Sequence, residues 1–139
     1  MIQKKITRFL IHVIVPLFLG SFIYIYFRQE NAIAFERIRV ILEIQPIISS
    51  NQIIHFIINS FPDFCWLYAF LSLQTQIIWG SIKKIPLILR AIMYIFPILT
   101  EMMQYLHIIS GTADWGDIIA YLLAILLNFY IWRLKKQET

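Results

Sequence analysis

Four long apolar runs, separated by short clusters of Lys and Arg, constrain this chain more than any other feature. A helix that crosses a bilayer needs about 20 mostly apolar residues. Residues 9–27, 62–79, 86–109 and 116–132 meet or approach that length. A chain of 139 residues has room for one domain and a small core, so most of this apolar surface has nowhere to hide in protein. Composition agrees. Hydrophobic residues make up 60 % and charged residues 14 %, against roughly 45–50 % and 25 % in soluble domains. The expectation is an all-α membrane protein, a four-transmembrane-helix bundle forming a single membrane domain over residues 1–139.

Orientation follows from the cations. Lys4, Lys5 and Arg8 precede the first run, Lys83, Lys84 and Arg90 lie between the second and third, and Arg133, Lys135 and Lys136 follow the fourth. Arg28, Arg37 and Arg39 are on the other side, accompanied by Glu30, Glu36 and Glu43. The positive-inside rule then puts both termini in the cytoplasm. Trp66 and Trp79, and likewise Trp115 and Trp132, sit near opposite ends of two runs, as interfacial aromatic belts do. The net charge of +4 does not imply nucleic acid, because the cations are clustered between apolar runs and form no extended basic face. The first run is too long for the apolar part of a signal peptide and no small-residue cleavage site follows, so it is expected to be retained. The single cysteine, Cys65, rules out an internal disulfide and a multi-Cys metal site.

Local signals refine the layout. Pro62 and Pro86 suit the first turn of a helix, whereas Pro16 and Pro97 fall inside runs and predict kinks. The long connection at 28–61 carries Phe35, Ile38, Ile41 and Leu42 on one helical face, which predicts an interfacial helix in the first external loop. Residues 52–61 are apolar but include His55, Asn59 and Ser60, and fit either a segment dipping into the bilayer or an extension of the second helix.

The polar residues inside these runs need a reason, since an ionisable group at the bilayer centre costs roughly 2.5–3.5 kcal/mol on insertion scales. Arg90, Tyr94, Glu101, Gln104 and Tyr105 fall near one face of the third helix. Asp117, Tyr121 and Asn128 share a face of the fourth, and Asp63 and Gln74 coincide on the second, where Ser72, Thr75 and Gln76 add polarity. The acids Asp63, Glu101, Asp114 and Asp117 all fall in the outer half. Asp114 or Thr112 can cap the fourth helix and Asp117 suits its first turn, but capping gives no reason for Glu101, more than two turns inside the third. Glu101 is expected to face the bundle, protonated or hydrogen-bonded. The candidate binding pocket is Glu101, Gln104, Asp114 and Asp117, with His107 and Tyr121 beside them. No metal-ligand spacing is present, so neither a metal nor another cofactor is expected.

The segment Glu101-Met-Met-Gln104 followed by Gly111-Thr-Ala-Asp114-Trp-Gly-Asp117 resembles the VanZ-like family of small bacterial membrane proteins. Its pattern has Glu-x-x-Gln near the outer end of one helix, then Arg-x-x-Asp and Asp-x-x-x-Asn at the start of the next, followed by Gly. Glu101, Gln104, Asp114 and Asp117 match, whereas Gly111 stands at the Arg position, Tyr121 at the Asn position and Ala124 at the later Gly position. The resemblance covers about the last 40 residues by motif. It implies a cell-envelope role in the bacterial inner membrane, and some members confer low-level resistance to the glycopeptide teicoplanin; no reaction comes with it. Three functions stay open: binding or modification of an amphiphilic envelope molecule, such as a membrane lipid or a lipid-linked one; a non-catalytic subunit packed against a membrane-protein partner; and a small transporter with Glu101 as proton or ion site.

Overall fold

The computed structural model describes residues 2–27, 37–38, 40–44, 51–78, 87–109 and 114–137. Among these residues the regular structure is all helical, with no strand, and the long helices form four rods. In the first, α1 (Ile2–Phe9) passes through a π-helical segment, π1 (Leu10–Ile14), into α2 (Val15–Phe27). The second is α3 (Gln52–Ser72), continued by π2 (Leu73–Ile78). The third is α4 (Leu87–Tyr105) and the fourth α5 (Trp115–Gln137). The wide turn of π1, where Val15 N–H reaches back to Leu10 O, sits directly before Pro16. A proline there has no N–H to give and crowds the carbonyl four residues back, and a looser turn relieves both problems.

Among the described residues, two stretches are long and apolar enough to cross a membrane, Ile6–Phe27 and Phe56–Thr75, with mean hydropathies of 2.1 and 1.3. α3 is central. It packs along α5 on one side and α2 on the other, while α4 leans chiefly on α5. The crossings are close where a side chain is missing. A Cβ on Gly20 would stand 2.9 Å from Trp66 Nε1 and 3.0 Å from Cys65 Cβ. A Cβ on Gly116 would collide with Ser60 Oγ and stand 2.8 Å from the Phe56 ring. Leu67, Tyr68, Leu71 and Ala124 form the buried core, flanked by Phe64, Tyr94, Tyr121, Ile125 and Ile131. The outward faces are just as apolar. Phe18 on α2, Phe96 on α4 and Leu126 and Phe129 on α5 are each more than half exposed.

The structure changes several local expectations. The second helix begins at Gln52, so residues 52–61 extend it and do not form a separate dip. Pro62 therefore lies in the helix interior, buried, and not in a first turn. Its missing N–H is tolerable where neighbouring helices cover the freed carbonyl. For the same reason Trp66 is near mid-helix and not at an end. It packs on Tyr24, with ring centroids 5.2 Å apart, and serves the α2–α3 seam instead of an interfacial belt. Trp115 is 75 % exposed at the start of α5. Of the expected interfacial helix, residues 37–38 and 40–41 are helical and the turn ends at Glu43, with φ 53°. Lys83, Lys84, Pro86 and Trp79 lie outside the described residues, as do the side chains of Lys4, Lys5, Gln76, Arg90, Trp132, Arg133, Lys135 and Lys136.

The third helix stops at Tyr105 and not at 109. His107, at φ 56°, takes the left-handed conformation. Its N–H donates to Gln104 O at 2.9 Å, and Ile108 N–H donates to Met103 O at 2.9 Å. These two bonds define a Schellman stop, in which glycine is usual because an L side chain is strained there. His107→Gly is expected to raise the stability of the purified protein by about 1 kcal/mol, read as an upward shift in thermal denaturation. An unchanged or lower midpoint would show that the imidazole contributes more than its backbone strain removes.

Candidate functional site

The end of α4 and the start of α5 gather the acids. Glu101 is 5 % exposed and faces into the bundle. Its carboxyl accepts the Asp114 N–H, with Oε2 3.4 Å from the nitrogen, and is hydrogen-bonded to Tyr121. Asp114 and Asp117 are both near enough to act on it electrostatically; Asp63, half-buried on α3, is not among the groups that do. Asp114 Oδ1 accepts the Gly116 N–H at 2.8 Å, and its carbonyl accepts the Asp117 N–H at 3.2 Å. This is an N-cap on α5. In a capping box, a carboxylate three residues into the same helix takes the N-cap residue's own N–H. Here a carboxylate from the preceding helix, Glu101, takes it. Helical spacing explains the convergence: Glu101 lies one turn before the end of α4, and Asp117 and Tyr121 stand one turn apart on α5.

Glu101, Asp114, Asp117 and Tyr121 are therefore brought together. Gln104 is half-buried, and among the described residues its side chain makes no hydrogen bond to the acids. His107 is exposed at the helix stop, with no contact joining its imidazole to the acids, so its place in the expected pocket is not realised. Tyr105 is 69 % exposed and turns away from the face that carries Glu101. Among the described residues, no group of three or more His, Cys, Asp or Glu side chains is placed to hold a metal ion.

A second polar cluster lies further along the bundle. Asn128 is fully buried on α5. Its Nδ2 donates to Ser72 Oγ at 3.2 Å, and its Oδ1 accepts from Tyr94 Oη at 3.1 Å. Thr75 Oγ1 shares its proton between Leu71 O, at 2.6 Å, and Asn128 Oδ1, at 3.1 Å. Ser72 also bonds Tyr68, whose hydroxyl is 2.7 Å from His12 Nδ1. The string touches all four rods, and both π-helical segments contribute to it, π1 through His12 and π2 through Thr75. The stripes of Ser72, Thr75, Tyr94 and Asn128 were readable as polar faces. His12 and Tyr68 were not, since one histidine or tyrosine in an apolar run carries no spacing signal.

Between α3 and α5 runs a groove of about 250 Å³, lined by Phe56, Ile57, Ser60, Phe61, Phe64, Ile119, Ala120 and Leu123. Ser60 is 4 % exposed, and its Oγ is enclosed without a hydrogen bond. No family model matches the chain, and no curated protein or solved structure matches it. Function therefore rests on the arrangement itself.

Proposed function

We propose that this chain is an integral membrane protein of four spans, with both termini in the cytoplasm, which recognises the polar head group of an amphiphilic envelope molecule at its outer acidic end. The observation that carries this reading is Glu101, a carboxyl buried in the bundle and crowded by Asp114 and Asp117. Crowding acids is unfavourable unless something offsets the repulsion. A head group bearing hydrogen-bond donors or positive charge does so, and Asp114, exposed at the turn, is where it would enter. The apolar outer faces of all four rods support a lipid surround, where such a molecule already resides. The likeness of residues 101–128 to the VanZ-like family supports a place in the bacterial inner membrane. Reporter fusions after Lys84 and Thr139 are expected to read cytoplasmic, and those near Glu36 and Ser110 external. A cytoplasmic signal at Ser110 would reverse the topology.

One observation favours a second reading. Glu101 fastens the turn by holding the Asp114 N–H, so it is also a structural clasp. Conservative substitution separates the two. Glu101→Gln keeps an acceptor for that N–H and loses the charge; Asp114→Asn keeps a good N-cap. With Asp117→Asn, these variants are expected to keep membrane level and thermal stability while losing most of an envelope-sensitivity phenotype per molecule. Glu30→Gln and Glu36→Gln serve as controls. Variants that lose stability and keep the phenotype would assign the acids to the clasp alone.

A further inference from the structure

We propose that His12 and Tyr68 form an acid-sensitive clasp between the first and second rods, closed while the imidazole is neutral and opened when His12 takes up a proton. The clasp is independent of what the outer acids recognise. Tyr68 Oη stands 2.7 Å from His12 Nδ1, and the two rings meet edge-on with centroids 6.1 Å apart. A phenol loses its proton near about pH 10 and an imidazolium near about 6.5, so the tyrosine is the better donor and the neutral imidazole nitrogen the better acceptor. Tyr68 therefore donates, and Nδ1 carries the lone pair. The rest of the string has the same polarity. Asn128 Nδ2 can only donate, and it gives to Ser72 Oγ at 3.2 Å. Ser72 passes its own proton to Tyr68 Oη, and Tyr68 passes its own to His12.

Protonation breaks this order. Nδ1–H and the Tyr68 O–H become two donors aimed at each other. If Tyr68 turns its hydroxyl towards Ser72, Ser72 receives two donors and its own proton is displaced. The reversal cannot pass Asn128, because an amide nitrogen does not accept. The charged neighbour acts in the same direction. Among the described residues, α1 presents Arg8 one turn before His12, and α3 presents Tyr68. The acid of α3, Asp63, lies beyond Tyr68 towards the helix start, α2 has no titratable residue before Tyr24, and π2 has none. An imidazolium at this position adds a second positive charge one turn from Arg8. His12 is carried by π1, a turn already relaxed from α-helical geometry. Beyond the clasp, the first rod meets α3 at the Gly20 crossing and through Tyr24 on Trp66. Release of His12 loosens the rod along that seam.

The chain carries its own reporter. Cys65, its single cysteine, is buried in the same seam against Gly20. The full chain in detergent is treated with dithiodipyridine, which labels thiols in mild acid, and the rate is divided by that of the unfolded chain at the same pH. Between about pH 7.5 and about pH 5.5, the range in which histidine titrates, the relative rate is expected to rise about tenfold and to fall again on neutralisation. His12→Asn keeps an acceptor where Nδ1 stood and removes the titration, and is expected to keep Cys65 protected at both pH values. Tyr68→Phe keeps the ring and removes the bond. It is expected to label faster at the higher pH and to lose at least about half of the pH response. Nitrogen-15 shifts of labelled histidine, with His12 assigned by its disappearance in His12→Asn, read the polarity directly: a bare Nδ1 and a protonated Nε2 in the neutral ring. A neutral ring with its proton on Nδ1 would overturn the proposal. So would a pH-independent labelling rate in the unmodified chain, or an unchanged pH response in His12→Asn, which would place the sensor at another group. If His12→Asn does not fold, Tyr68→Phe decides, and an undiminished pH response there overturns the clasp.

Discussion

Asn128→Leu is expected to destabilise the purified protein by about 2–3 kcal/mol, a loss large enough to lower its steady-state level in the membrane. Leucine matches the volume and supplies none of the hydrogen bonds. Buried interhelical hydrogen bonds in membrane proteins average roughly 0.6 kcal/mol each, and Asn128 makes three with Ser72, Thr75 and Tyr94. The partners then fare differently. Thr75 keeps Leu71 O, and Ser72 keeps Tyr68. Tyr94 has to find a new acceptor from a half-buried position, which adds roughly 1 kcal/mol or more. Tyr94→Phe is the informative companion. In the Asn128→Leu background it is expected to restore about 1 kcal/mol, because the stranded hydroxyl goes with it. Denaturation midpoints in a fixed detergent decide the matter; additive losses in the double variant would show that the pair is not coupled.

Gly116→Val is expected to be at least as damaging, at about 3 kcal/mol, near the upper end for overpacking a well-filled site. Its first added carbon falls on Ser60 Oγ and within 2.8 Å of the Phe56 ring. The two helices must separate along the seam that holds most of the bundle together. The same carbon stands 3.3 Å from Asp114 Oδ1, so the N-cap of α5 is disturbed as well. Gly116→Ala is milder, since alanine gains about 1 kcal/mol in helix propensity over glycine. Ser60→Gly is expected to recover more than half of the Gly116→Ala loss in the double variant, measured by thermal denaturation. No recovery would place the clash at Phe56 and not at the hydroxyl.

Much of this architecture could be read from the sequence because helical periodicity is a local property. Glu101, Asp114, Asp117 and Tyr121 meet because the start of α5 lies beside the end of α4 with fixed faces, and the spacing alone dictates those faces. Tyr94 and Asn128 were legible as polar positions for the same reason. What stayed hidden depends on how one helix is set against another along its length. Nothing in the run from Gln52 to Phe61 says that Ser60 lies opposite Gly116, or that Trp66 fills the gap left by Gly20. Pro62 misled because a proline is usually a boundary, and only the packing around it keeps the helix continuous. His107 misled in a different way. Its chemistry suggested a pocket member, but its backbone conformation, invisible in a side chain's identity, makes it the stop of α4.

The seating of α4 has a mechanical consequence. Among the described residues it leans chiefly on α5 and is pinned to it at two places, Tyr94 on Asn128 and Glu101 on Asp114 and Tyr121. Residues 94 and 101 are seven apart, so the pins stand on one side of the helix roughly 10 Å from each other. Two pins in line define an axle. Sliding and tilting strain both at once, whereas a small roll about the axle strains neither, and among the described residues α4 has little packing beyond α5 to resist it. A slide or tilt of α4 is therefore felt at the acidic end and at the asparagine end together.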